Sequence, residues 1–153
     1  MSPHDLIAHH AIKNILSIHS RGVDRADLNL LSAAYHPDAT VDYGFFAGPA
    51  ADLVAMLAQA QKGSLPTLHR TCNMWIKVAG DRAISESYVM AYVEEAEMQR
   101  IVFGRYLDSH ALRDGEWKLT HRTYLLEGNT NRPNTAVRND PPVSHANYVP
   151  NGG

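Results

Sequence analysis

The stretch RIVFGRYLDSHALRDGEWKLTHRTYLLE, residues 100–127, decides the fold, because it has the pattern of two β-strands joined by a tight turn. Its central pair, Asp114-Gly115, is typical of a two-residue β-hairpin loop. We therefore predict strands over residues 100–112 and 116–127, running antiparallel to each other.

A second hairpin is predicted immediately upstream. Gly80-Asp81 is a turn signal of the same kind, and it separates two further runs with strand character. We predict these strands over residues 67–78 and 82–96. The two hairpins together predict a long antiparallel meander.

The part of the chain before this meander has a mainly helical pattern. Ser2-Pro3-His4-Asp5 predicts a helix start, with Ser2 as N-cap and a proline at the first helical position. Gly22 is predicted to loosen the end of this helix. One face of the helix carries Ile12, Ile15, Leu16, His19 and Val23.

Two further helices and a short strand complete this half of the chain. The second helix is predicted to stop before Pro37. Residues 40–46 predict a short strand. Gly48-Pro49 predicts the start of a third helix, which Gly63 ends. The apolar residues of the second helix are Leu28, Leu31, Ala34 and Tyr35.

Helices followed by an antiparallel meander predict an α+β fold with a mainly antiparallel sheet. We predict one domain over residues 1–128. Residues 129–153 contain four prolines and predict an irregular C-terminal tail.

Composition excludes several classes of partner. The 153 residues carry 14 Lys+Arg and 16 Asp+Glu, a net charge of −2. Nucleic-acid grooves and polybasic membrane anchors need a basic excess, and the apolar runs are far shorter than the ~20 residues of a membrane span. We therefore expect no nucleic-acid partner and no membrane association. The N-terminus lacks the pattern of a secretory signal, so we expect a cytoplasmic protein.

Nine histidines raise the question of a metal site. Cys72 is the single cysteine, which excludes a multi-cysteine site. The sequence contains no His-Glu-x-x-His pattern and no phosphate-binding glycine loop. We expect neither a metal nor a cofactor.

His19 is the first candidate for chemistry, because it shares the apolar face of the first helix. A titratable group there needs a polar partner. Asp24 follows five residues later, where the helix ends. The plainer interpretation is that Asp24 caps the next helix and His19 is a satisfied core histidine.

The strand predicted from residue 67 carries an unusual set of alternating side chains. This set is too polar for an ordinary core and suits the wall of a small-molecule pocket. A solvated strand with one aromatic residue is the alternative interpretation. The set is His69, Thr71, Asn73 and Trp75.

The later strands add further candidates. Tyr88 and Met90 share one face of their strand, and Arg122 and Tyr124 share a face of the last strand. An arginine inside an apolar barrel needs an anion, either a carboxylate such as Asp24 or the substrate. An exposed strand arginine is the commoner case.

Over about residues 5–128 the chain resembles the nuclear transport factor 2-like superfamily, within its SnoaL-like branch. That branch includes scytalone dehydratase and hexachlorocyclohexane dehydrochlorinase. The resemblance implies a cone-shaped α+β barrel, with the N-terminal helices packed into a strongly curved, mainly antiparallel sheet. It rests on GVDRAD at 22–27, YHPDATVDY at 35–43, His69 with Asn73, GRYLD at 104–108 and GEWKLTHR at 115–122.

The resemblance also implies catalytic residues. Asp24, His69 and Arg122 match the aspartate, the base histidine and the strand arginine of the dehydrochlorinase pattern. His19 stands where that pattern has a lysine, which departs from the family. Tyr43 and His110 are looser counterparts of residues around the dehydratase substrate, the former catalytic and the latter substrate-binding.

These residues imply a cofactor-independent lyase in which an Asp24–His69 dyad removes a proton. Arg122, Tyr43 or His19 would then stabilise the anion, and water or another small group such as formaldehyde would leave an aromatic or alicyclic substrate. An isomerase or cyclase using the same base, and a non-catalytic binding module, are the alternatives.

We expect a homo-oligomer, dimer or trimer. The expected pocket lining is Phe45, Phe46, Asn73, Trp75, Tyr88, Met90, Tyr106, His110 and Tyr124.

Overall fold

A computed structural model describes residues 1–61 and 67–137 of the chain. The helices are α1 Pro3–Asp24, α2 Leu28–Ala33 and α3 Ala50–Gln61. The strands are β1 Tyr35–Asp42, β2 Ala47–Pro49, β3 Thr67–Ala79, β4 Arg82–Glu94, β5 Met98–Arg113 and β6 Glu116–Pro133.

The start of α1 forms as predicted. Ser2 Oγ accepts a hydrogen bond from the Asp5 amide at 3.1 Å, and the Ser2 amide donates to Asp5 Oδ2 at 3.0 Å. This capping box satisfies two amides that a helix start otherwise leaves without partners. The predicted apolar face is confirmed, because Ile12, Leu16 and His19 are all buried.

Gly22 does not loosen α1, which continues through it to Asp24. A Cβ at Gly22 would lie 2.9 Å from the Leu31 amide nitrogen. The glycine therefore permits the close approach of α2 to α1 and does not mark a helix end.

The predicted boundary between α2 and the first strand was wrong. Tyr35 does not belong to α2 but begins β1, five residues before the predicted strand start at residue 40. The cause is a distant partner: β1 pairs in parallel with β6, and the Leu119 amide donates to the Ala34 carbonyl at 2.9 Å. Residues 43–46, predicted as strand, form a turn closed by Tyr43 N to Phe46 O at 2.8 Å.

The sheet has the strand order β2-β1-β6-β5-β4-β3. The β1–β6 pair is parallel and every other neighbouring pair is antiparallel. The predicted α+β class is therefore confirmed, and the curled sheet around the helices agrees with a cone-like barrel. Strand β3 is an edge strand of the sheet, and α1 packs against it.

Strand β6 runs past the predicted start of the tail. It continues to Pro133, because the segment from Asn129 pairs with β5 between Met98 and Val102. Residues 134–137 belong to no regular element. The remainder of the predicted tail, and the predicted helix end at Gly63, lie outside the described residues.

The core has two parts. One packs α2, α3 and β1 together, with Leu31, Leu53 and Leu119 completely buried. The other packs the first half of α1 against the sheet through Ile12, Leu16 and Trp117. The second half of α1 is thereby held against β3, where the candidate site lies.

Replacing Leu16 by alanine is expected to lower the free energy of unfolding by about 2–5 kcal/mol, because a buried leucine leaves a cavity. Leu16 is 1% exposed, whereas Leu6 on the same helix is 58% exposed. Urea unfolding of Leu16→Ala and the matched Leu6→Ala measures the difference. Equal effects of the two substitutions would contradict this packing of α1.

Candidate active site

Asp24 and His69 are brought together where the end of α1 meets the edge strand β3. His69 Nδ1 lies 2.7 Å from Asp24 Oδ1. The His69 amide donates to both carboxylate oxygens, at 3.1 and 3.0 Å. Thr67 Oγ1 adds a fourth contact to the carboxylate, donating to Oδ1 at 3.0 Å. Asp24 therefore does not serve as the cap of α2, a role that Asp27 performs.

This contact fixes which ring nitrogen carries the proton. A carboxylate only accepts, so Nδ1 donates to Asp24 and Nε2 is left with its lone pair. The side chains of His69 and Asp24 are 17% and 15% exposed. The dyad is thus partly desolvated but still reachable by a ligand.

The dyad borders a cleft of about 390 Å³ between the second half of α1 and β3. A hydrogen bond of 2.9 Å between Ser20 Oγ and Thr71 Oγ1 spans this cleft. The volume lies in the range of small-molecule sites, which is about 300–1,000 Å³.

Arg122 does not pair with Asp24. It forms a two-pronged ion pair with Asp108, with Nε to Oδ1 at 2.7 Å and Nη2 to Oδ2 at 2.8 Å. Both side chains are almost completely buried. The sequence analysis did not predict that Asp108 pairs with Arg122. The pairing of β5 with β6 shifts by one residue between Ser109 and His110, so counting outward from the Asp114-Gly115 turn does not place Asp108 opposite Arg122.

His19 lies beside this ion pair as a buried, hydrogen-bonded histidine. Its Nε2 is 3.1 Å from the Tyr35 hydroxyl. Burial lowers the pKa of His19 well below its usual value, and nearby Arg122 and His69 lower it further. His19 is therefore neutral at neutral pH, unlike the lysine of the family pattern.

Tyrosines surround the Arg122 guanidinium. Its central carbon lies 3.9 Å from the centre of the Tyr106 ring, a cation–π contact. Tyr106 also contacts Tyr43 and Tyr124. Burial raises the pKa of Tyr43 and that of Tyr106, so both hydroxyls stay protonated and can donate hydrogen bonds.

Four buried side-chain polar atoms have no hydrogen-bond partner among the described residues. Such atoms are rare in folded proteins, because each costs about 1–3 kcal/mol when desolvated. They are Tyr43 Oη, Ser87 Oγ, His110 Nδ1 and Arg122 Nη1.

Ser87 and Ser85 were not predicted as site residues, although they alternate with the predicted residues of β4. Ser85 Oγ lies 2.8 Å from His110 Nε2, and both side chains are buried. The inward face of β4 therefore carries the serines and Val89. Tyr88 and Met90 point outward and are half exposed, so their predicted place in the pocket was wrong.

The predicted polar face of β3 is divided by a β-bulge. Asn73 has a φ of +49°, and the pairing with β4 shifts between Cys72 and Trp75. The extra residue moves every later side chain to the opposite face. His69 and Thr71 face the cleft, whereas Trp75 is 56% exposed on the outer face and Asn73 is exposed.

Phe45 also lies outside the predicted pocket, in the exposed turn between β1 and β2. Phe46 packs against the core instead of facing a cleft.

Within residues 1–61 and 67–137, no group of three or more histidine, cysteine or acidic side chains is placed to hold a metal. No helix of this part of the chain is long and apolar enough to span a bilayer.

The buried histidine His110 is expected to make stability fall in mild acid. Burial lowers its pKa from 6.5 to about 4. Between these values the unfolded chain binds a proton that the folded chain does not, so stability decreases as the pH falls from 6.5 towards 4. The loss is about 3 kcal/mol for His110.

Urea unfolding at pH 7 and pH 5 measures the part of this loss that falls between those two values, about 2 kcal/mol. His110→Asn is expected to reduce the difference between the two pH values, and His10→Asn, at an exposed position of α1, is the matched control. An unchanged difference in His110→Asn would contradict the assignment.

Comparisons with known proteins agree with this architecture. A family model described as a SnoaL-like domain matches residues 4–123. A structure from Novosphingobium aromaticivorans DSM 12444, provisionally assigned as a scytalone dehydratase, has a TM-score of 0.77 at 24% identity, covering 96% of this chain and 100% of that chain.

Other solved structures share the fold. Hexachlorocyclohexane dehydrochlorinase LinA-type3 from Novosphingobium barchaimii LL02 has a TM-score of 0.73 at 21% identity, covering 90% of this chain and 97% of that chain. A protein of unknown function from Nostoc punctiforme PCC 73102 has a TM-score of 0.65 at 16% identity, covering 83% of this chain and 94% of that chain. A comparison with curated proteins finds no match. At these identities the likeness establishes the fold, and activity has to be argued from the site.

Proposed function

The chain belongs to the SnoaL-like domain family, and on this premise we propose that it is a cofactor-independent lyase acting on a hydrophobic aromatic or alicyclic substrate. The observation that carries the proposal is the 2.7 Å contact between His69 Nδ1 and Asp24 Oδ1 beside an open cleft. Two solved structures of the same fold bear the names of a dehydratase and a dehydrochlorinase, which are lyases.

In this mechanism His69 Nε2 takes a proton from the substrate. Asp24 holds the ring in the required tautomer and stabilises the imidazolium that forms. In an elimination, the electrons of the broken bond move towards the leaving group, which departs with a proton returned by the imidazolium. In formaldehyde release, His69 instead takes the hydroxyl proton, the carbon–carbon bond breaks as the carbonyl of formaldehyde forms, and the ring carbon that keeps the electron pair receives the proton from the imidazolium. Every step is a proton transfer with bond cleavage, and the chain's own groups can supply it.

Arg122, Tyr43 and His19 do not line the cleft, so they would stabilise negative charge only on a part of the substrate that reaches past His69 into the interior. Arg122 Nη1 and the Tyr43 hydroxyl are buried donors that also interact with each other. Preorganised donors of this kind stabilise charge that develops in a transition state. His19 lies within electrostatic range of both Arg122 and His69.

The neutral state of His19 favours certain leaving groups. A cation at this position would assist a departing halide, and a neutral histidine gives less help. We therefore favour elimination of water, or release of formaldehyde from a hydroxymethylated ring, over loss of chloride. An isomerase or cyclase would use the same dyad without releasing any group.

Asp24→Asn is expected to lower turnover about 10²–10⁴-fold, because the amide no longer fixes the His69 tautomer. Purified protein is incubated with hydroxylated, halogenated and hydroxymethylated ring compounds, and product masses are recorded. Loss of the mass of water or formaldehyde identifies the leaving group. A product of unchanged mass identifies an isomerase or cyclase.

Asp81→Asn, at the exposed β3–β4 turn, is the matched control and is expected to keep full turnover. Circular dichroism confirms that each variant is folded. Full turnover in a folded Asp24→Asn would rule out the dyad mechanism.

We also propose that the outer face of the sheet forms a homo-oligomer. Apolar side chains on neighbouring strands are exposed there, and contiguous patches of this kind mark association surfaces. Arg105 with its partners Glu86 and Glu127 lies among them as a polar neighbour. The exposed apolar residues are Trp75, Ile84, Tyr88, Met90, Phe103 and Leu107.

Tyr88→Glu is expected to convert the oligomer to a monomer, because it places a charge in the middle of this patch. Light scattering coupled to size-exclusion chromatography measures the mass. Leu6→Glu, at an exposed position of α1, is the control and is expected to leave the mass unchanged. A monomeric wild-type protein would refute the assignment.

A further inference from the structure

A groove on the outside of the molecule separates α1 from the turn end of the β5–β6 hairpin. Its volume is about 510 Å³, larger than that of the cleft beside the dyad, and the described linings of groove and cleft have no residue in common. Leu112 and Trp117 line it from the hairpin, and Ala33 lines it from the end of α2. The acid–base chemistry proposed above uses none of these residues.

Helix α1 presents a second apolar stripe to this groove. Ile7, Ala11 and Ile18 follow one another at spacings of four and seven residues, so they lie on one side of the helix, next to the stripe that packs in the core. Ile7 is 70% exposed. A single exposed apolar side chain needs no explanation, but a continuous apolar stripe along a groove marks a binding surface.

The charged and polar groups of the groove largely satisfy one another. Lys118 Nζ lies 2.8 Å from Glu116 Oε2, so these two charges compensate each other. His4 Nε2 lies 3.0 Å from the Gly80 carbonyl oxygen, to which it donates. Asn14 is the remaining polar side chain of the described lining. The groove therefore matches an uncharged, apolar part of a ligand.

The dimensions of the groove fit a single extended chain. Along α1 the lining runs from His4 to Ile18, which corresponds to about 21 Å at the helical rise per residue. A volume of about 510 Å³ over that length leaves a mean cross-section of about 24 Å². An α-helix, about 10 Å across with its side chains, is too wide for this space. An extended hydrocarbon chain, which is one methylene wide, fits it.

We propose that this groove binds the hydrocarbon chain of a single-chain amphiphile taken up from solution, such as a fatty acid. The chain lies along α1 between Ile7 and Ile18 and against Trp117, and the head group stays in water at an open end of the groove. This ligand site is additional to the proposed lyase function and does not rest on it, because the dyad contributes nothing to the groove.

An NMR titration of the full-length protein with sodium carboxylates of eight to eighteen carbons, below the concentration at which they form micelles, tests the proposal. The affinity is expected to rise about two- to fourfold with each added methylene, because each is removed from water. This rise is expected to end at about sixteen carbons, since an extended chain of that length spans about 21 Å. 1-Adamantanecarboxylate is a compact cage with the charge and carbon number of undecanoate, and it is expected to bind at least about tenfold more weakly.

Ile7→Asp is expected to raise the Kd for tetradecanoate at least about tenfold, because it places a charge in the apolar groove. Leu6→Asp, at an exposed position of α1 outside the described lining, is the matched control and is expected to keep the wild-type Kd. Both native side chains are more than half exposed, so both variants are expected to fold.

An unaltered Kd in Ile7→Asp would overturn the proposal, as would equal binding of undecanoate and 1-adamantanecarboxylate or an affinity independent of chain length. Shifts confined to Tyr88 and Met90 would also overturn it, by placing the chain on the outer face of the sheet. Binding to phosphatidylcholine vesicles without binding of free carboxylates would overturn the assignment of a free amphiphile and indicate a membrane surface. Asp24→Asn is expected to bind tetradecanoate as the wild type does, so a failure of the lyase mechanism is distinguishable from a failure of this site.

Discussion

The carboxylate of Asp24 joins the end of α1 to the edge strand β3, and the candidate site depends on this junction. A negative charge at a helix C-terminus faces the negative end of the helix dipole and is unfavourable there. The contacts from Thr67 and His69 offset that cost by giving the carboxylate three donors. The contacts of the Asp24 carboxylate that hold the end of α1 against β3 therefore also orient the His69 ring.

A second constraint lies deeper, in the ion pair between Arg122 and Asp108. Desolvating two charges is costly, and only a well-aligned pair with further contacts tolerates it. The two-pronged geometry and the Tyr106 ring supply those contacts. The pair is neutral as a whole, and burial keeps His19 neutral beside it. The interior therefore offers hydrogen-bond donors more than net charge.

Local signals were enough to predict the helix start at Ser2 and the turn at Asp114-Gly115, because each depends on residues close in sequence. The family resemblance supplied the pairing of Asp24 with His69, which no local pattern contains. The start of β1 at Tyr35 was missed, because it depends on parallel pairing with β6. Trp75 was placed on the wrong face, because one residue in a left-handed conformation, Asn73, shifts the alternation of β3.

The measurement that tests the account most directly is the tautomer of His69, read from the nitrogen chemical shifts of its ring near neutral pH. The contact between His69 Nδ1 and Asp24 Oδ1 predicts a proton on Nδ1 and a free lone pair on Nε2 in the wild-type protein. It also predicts that Asp24→Asn loses this preference. A wild-type ring with its proton on Nε2 would contradict the account, because the nitrogen that has to accept the substrate proton would already carry one.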